Sequence, residues 1–168
     1  MARQINTFHL APEMTHVERA QIILELLAKR RDSFGAIAPV SNKEVMLATG
    51  ADPSHFGVAY GQANSLLDIA SLRASLPLVG QLVTFDRGDQ FSGPWSHWAP
   101  FKTLLTCAPR LKTWADKDIE LIRSSLEPGN PSTLWRDMEK NSKKWRQNAI
   151  TSAQRALQEY VNQRWPNL

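Results

Sequence analysis

The side chains with the strongest claim to chemistry gather between residues 86 and 102: Asp86, Asp89, His97 and Lys102. Two carboxylates and an imidazole are groups that hold a divalent metal or move protons. Their spacing matches no ligand motif, and an aspartate beside glycine, as in Arg87-Gly88-Asp89, is usually a turn-former that bonds nearby backbone. His9, His16 and His55 are too dispersed to make a ligand set, and Cys107 is the single cysteine. No GxSxG, no HExxH and no phosphate-binding glycine loop is present. The expectation is a protein without catalytic residues, metal or cofactor.

Charge offers a second kind of chemistry. The net charge is +4, and it is unevenly spread: residues 1–75 carry 7 basic and 7 acidic side chains, residues 76–131 carry 6 and 6, and residues 132–168 carry 7 and 3. Arg136, Lys140, Lys143, Lys144 and Gln147 fall on one side of a helix at three- and four-residue spacings, opposite Trp135, Met138, Trp145 and Ala149. Such a face suits phosphates, whose neutralisation releases counterions; a merely solvated face is the competing reading. All six tryptophans lie after residue 94, with Trp114 and at least one of Trp95 and Trp98 expected in the core, and Trp145 and Trp165 at an interface.

These groups need elements to position them. With 42% hydrophobic and 21% charged residues the chain can bury a core, which excludes wholesale disorder. One cysteine excludes a disulfide framework. The start lacks the apolar run of a signal peptide and no stretch is long enough to span a bilayer, so a cytoplasmic protein with no membrane partner is expected. Residues 1–14 read as an arm. Thr15 and Glu18 have capping-box spacing, followed by an apolar stripe of Val17, Ala20, Ile23, Leu24 and Leu27 that ends at Lys29-Arg30-Arg31. Ser41 and Glu44 repeat the box before a short helix that Gly50 should stop. Asp52 and Pro53 then open a longer helix with Phe56, Ala59, Tyr60, Ala63, Leu66, Leu67 and Ala70 inward, completing a helix-turn-helix outline.

After Pro77, LVGQLVTFDRGDQF reads as a strand centred on Leu82, Val83 and Phe85 with a wing turn at Arg87-Gly88-Asp89. The proline-interrupted, aromatic stretch of residues 92–112 is too apolar for water and should cross the core. Thr113 and Asp116 open a helix with Ile119, Ile122 and Leu126 inward, closed by EPGNP. A continuous helix over residues 132–165 would be about 50 Å long. It must project, bend near Asn141-Ser142, or meet a partner, with Ile150, Ala153, Leu157, Val161 and Trp165 as its docking stripe.

The runs VSNKEVMLATG (Val40 to Gly50), FGVAYGQA (Phe56 to Ala63) and LPLVGQLVTFDR (Leu76 to Arg87) are similar to the DNA-binding half of the alkylguanine-DNA alkyltransferases and alkyltransferase-like proteins. The resemblance covers about 50 residues. It implies a winged-helix-like architecture and DNA binding. It does not imply alkyl transfer, because Leu78-Val79-Gly80-Gln81 stands where the family has its proline-cysteine-histidine-arginine site, and Asn42 and Val58 replace its tyrosine and arginine.

The resulting expectation is an α+β, mainly α, chain: an arm (1–14), a winged-helix-like domain with a short β-hairpin (15–131) and a basic C-terminal helix (132–168). Nucleic acid is the expected partner, contacted by Lys43, His55, Gln62, Arg73 and Arg87 around the helix-turn-helix and by Arg136, Lys140, Lys143, Lys144 and Gln147 on the last helix. Between Glu44 and Leu72 there is no Lys or Arg, while Glu44, Asp52 and Asp68 are acidic, so phosphate affinity falls to the last helix. The alternative is a protein-interaction module or homodimer using the acidic helix with Trp145 and Trp165.

Overall fold

The computed structural model describes residues 14–49, 56–84 and 101–168. Both capping boxes form. Thr15 accepts the Glu18 amide while the Glu18 carboxylate takes the Thr15 amide at 2.6 Å, bonds that hold this carboxyl below its usual range. They open α1 (His16–Lys29), whose Ala20, Ile23, Leu24 and Leu27 are buried. Ser41 and Glu44 bond reciprocally at 3.2 and 2.8 Å and open α2 (Asn42–Thr49) directly after β1 (Val40–Ser41). Gly50, Asp52 and Pro53 lie outside the described residues.

The long helix α3 (Phe56–Arg73) is the centre of the molecule. Ala63, Leu66, Leu67 and Ala70 join α1 in one apolar cluster, as the spacing predicts, and Ile69 and Leu72 point into a second. Its C-terminus is a Schellman motif: the Leu76 amide reaches the Ser71 carbonyl and the Ser75 amide the Leu72 carbonyl, with Ser75 in the left-handed region at φ 54°.

The predicted strand starts late. Val79–Leu82 is a turn of 3-10 helix, and among the described residues of this stretch Val83–Thr84 alone is extended, as β2. β2 pairs in parallel with β1, Val40 opposite Val83. The turn is tightened by polar bonds from α3, given below. The expected hairpin, with Phe85 and Arg87, and the residues Trp95 and Trp98 lie outside the described residues.

Of the proline-interrupted stretch, the described part is a helix, α4 (Lys102–Leu111), which buries Leu105 and Ala108; residues 92–100 lie outside the described residues. Helix α5 (Asp116–Ser125) begins later than Thr113: the amide of its N-cap residue Ala115 donates to the Asp118 carboxylate at 2.9 Å, while Thr113 bridges to Ala36. Trp114 is buried as expected, its indole donating to the Pro109 carbonyl at 3.1 Å. Asn130 caps α6 (Pro131–Glu139), with Pro131 in the first turn where its missing N–H costs nothing.

Of the three outcomes open to a 34-residue helix, the chain bends. It breaks at Lys140 and Asn141 and resumes as α7 (Ser142–Arg164). Trp135 and Met138 of α6 and Ala149, Ala153 and Ala156 of α7 share the second cluster with Leu105 and Ala108 of α4 and with Ile69 and Leu72. The alanine ridge lets α4 and α7 approach closely, so the docking stripe runs through Ala149 and Ala156 and leaves Leu157 39% exposed.

Candidate nucleic-acid interface

Of the residues expected around the helix-turn-helix, Lys43, Gln62 and Arg73 are described, and their surroundings differ. Gln62 and Ser65 are half-buried and the Ser65 hydroxyl donates to the Gly61 carbonyl. From Ala63 to Leu72 every other residue of α3 is buried. Arg73 is half-buried and ion-paired to Glu127 at 3.0 Å. Lys43 is exposed on α2. Glu44 pairs with Arg30 besides capping its helix, so it is no free negative charge. His55 and Arg87 lie outside the described residues.

Asp68, which the sequence offers as part of an acidic helix surface, is buried. Asn64, Asp68 and Ser71 are spaced to share one side of α3, and that side grips the 3-10 turn. The Asn64 amide donates to the Gly80 carbonyl at 2.8 Å, the Gln81 amide donates to Asp68 at 2.7 Å, and the Val79 amide donates to the Ser71 hydroxyl at 3.1 Å. Burial pushes the Asp68 carboxyl up to about 7, against the opposing pull of its bonds from Gln81 and the Gly80 amide. This seam is structural polar chemistry, spent inside the molecule.

The C-terminal helices are different. Arg136, Lys140, Lys143, Lys144 and Gln147 are all exposed. Lys140 lies 3.3 Å from Asp137 in an exposed pair of little energetic weight. Arg136, Lys143 and Lys144 form no ion pair among the described residues. Lys143 and Lys144 also occupy the first turn of α7, which has no acidic residue and no side-chain cap from Asn141. A helix N-terminus is already positive, so cations there deepen the local potential at a small cost in helix stability.

The row extends further than the lysine cluster suggests. Lys144, Gln147, Thr151, Arg155, Gln158 and Asn162 follow one another at intervals of three or four residues, and all six are exposed. At 1.5 Å per residue the row is about 27 Å long. Gln147 donates to Thr151 at 3.3 Å and Gln158 to Asn162 at 2.8 Å, which aligns the side chains along the helix. The row contains no acid; Glu159 stands beside it next to Arg155. Thr151, Arg155, Gln158 and Asn162 were legible in the same spacing that singles out Lys144 and Gln147.

The two tryptophans expected at an interface part company. Trp145 is half-buried against the second cluster, whereas Trp165 is 49% exposed and meets Tyr160 edge-on at 6.4 Å. Lys102 is exposed at the start of α4, and its expected companions Asp86, Asp89 and His97 lie outside the described residues. Among the described residues no three His, Cys, Asp or Glu side chains form a group able to hold a metal, and no helix is long and apolar enough to cross a membrane. No protein-family model, curated protein or solved structure matches the chain.

Proposed function

We propose that the chain binds the phosphate backbone of duplex nucleic acid through the outer face of α7, with Arg136 and Lys140 of α6 alongside. The observation that carries this reading is the acid-free row from Lys144 to Asn162, headed by lysines that have no ion-pair partner among the described residues. Lysine and arginine neutralise phosphates, and the glutamine and asparagine amides between them donate to phosphate and sugar oxygens. An α-helix, about 10–12 Å across with its side chains, fits a major groove roughly 12 Å wide. The winged-helix-like reading of α2 and α3 adds orientation, with Lys43 and Gln62 at the rim, because α3 from Leu66 to Leu72 is committed to packing.

Titration of a labelled duplex across a salt series tests this. Five phosphate contacts, by Arg136, Lys140, Lys143, Lys144 and Arg155, give a slope of log affinity against log salt of about −4.5. A flat dependence, or no binding at low salt, ends the proposal.

A protein-docking reading has its own observation, the exposed Leu157 and Trp165 on the last turns of α7. It requires more than a monomer mass by light scattering, reduced by Trp165→Ala.

A further inference from the structure

A cavity of about 320 Å³ opens where the end of α3, the α4–α5 connection and the middle of α7 meet. Its walls include Ser75, Thr113, Lys117, Asp118, Arg155 and Glu159. Asp118 is already satisfied by Lys112 at 3.4 Å and by the Ala115 amide, so it adds little free negative charge. Lys117 and Arg155 come from different helices, and among the described residues neither has an ion-pair partner. Two cations that line one cavity, with Glu159 as the acid left over once Asp118 is paired among the described residues, make a site for an oxyanion.

Ser75 supplies an independent observation. It occupies the position of a Schellman motif that glycine fills best: its amide donates to the Leu72 carbonyl, the next amide, of Leu76, donates to the Ser71 carbonyl, and its own carbonyl accepts from the Ser152 hydroxyl at 3.0 Å. A side chain in the left-handed region costs about 1 kcal/mol that glycine avoids. At that cost the chain keeps a side chain with a hydroxyl at a residue that lines the cavity.

We propose that this cavity is a phosphate-binding site, seating the phosphate group of a small phosphomonoester or of a nucleic-acid strand between Lys117 and Arg155, with the Ser75 and Thr113 hydroxyls as further donors. The volume is at the lower end of small-ligand pockets, enough for a phosphate and a few attached atoms. The site shares Arg155 with the α7 row but does not depend on duplex binding.

The test is titration of the full chain with inorganic phosphate, followed by amide shifts. Saturable shifts at Ser75, Thr113, Lys117 and Arg155 are expected, with affinity falling about tenfold in Lys117→Gln/Arg155→Gln. Both residues are exposed, so the double variant should fold. Ser75→Gly should melt higher yet bind phosphate more weakly, an opposition that a purely structural serine does not produce. No saturable shift by tens of millimolar phosphate, or an unaltered affinity in the double variant, overturns the site. A second arm uses a duplex with unphosphorylated ends. Shifts at the same four residues make the strand backbone the source of the phosphate, whereas shifts confined to Lys143–Gln147 make it a small phosphomonoester. If phosphate saturates the four amides and no duplex binds, the cavity stands and the nucleic-acid reading falls.

Discussion

Gly80 and Asp68 sit so close that a Cβ on Gly80 would lie 2.5 Å from the Asp68 Oδ1 and 2.7 Å from the Asn64 carbonyl oxygen. No real side chain tolerates those separations, and one of the two obstacles is helix backbone. Gly80→Ala should therefore push the 3-10 turn off α3 and cost about 1–3 kcal/mol, the range for an overpacked core. Urea denaturation measures it. A loss under half a kcal/mol would mean the turn does not rest on α3 this closely.

The same carboxyl makes stability depend on pH. Its folded pKa, about 7, stands above its ordinary value of 3.8. Between those two values the native state keeps a proton that the unfolded chain has lost, so stability falls as pH rises through this window, by up to about 1.4 kcal/mol per pH unit, and is flat above it. Asp68→Asn removes this slope while an amide oxygen still accepts from Gln81. Relative to wild type the variant should gain several kcal/mol between about pH 4 and about pH 8. A pH-independent difference would show that Asp68 titrates normally.

Ser41 should matter more than the ion pair beside it. Ser41→Ala strips the acceptor from the Glu44 amide and should cost about 1 kcal/mol, or roughly 2–4 °C in Tm. Glu44→Gln keeps an oxygen for the Ser41 amide and loses only the charge facing Arg30, a half-exposed pair worth a fraction of that. Calorimetry of the two variants ranks them. Equal losses would place the stabilisation in the ion pair.

Local rules explain what was legible. Capping boxes at Thr15 and Ser41 need only residues three apart, and the α1 stripe needs only a period, so both stand as the spacing predicts. What escaped depended on partners distant in sequence. Asn64, Asp68 and Ser71 have the spacing of a solvated helix face, and nothing local shows that a turn from residues 79–81 covers them. The strand read from Leu82 outward ignored that α3 would claim the Val79 amide and the Gln81 side chain. Helix α4 was hidden by Pro109, which sits near its C-terminal end, where a missing N–H disturbs little of the helix beyond it. In the candidate site the cations were visible, but their freedom from acids was not, since pairing is settled by tertiary neighbours such as Glu127 against Arg73.

The two lysines that open α7 should show opposite effects on folding and on binding. Each places a positive charge against the positive end of the helix, so Lys143→Gln and Lys144→Gln should each leave stability unchanged or raise it by a few tenths of a kcal/mol. Each should also remove one phosphate contact, lowering the magnitude of the salt slope by about 0.9. Lys29→Gln on α1, far from the row in sequence, is the control for nonspecific charge. If it weakens duplex binding as much as the α7 variants do, the attraction is a property of net charge alone, because a localised interface must distinguish equal charges by position. If only the α7 variants change the slope, while their melting temperatures hold or rise, the lysines serve a ligand at some expense to their own helix.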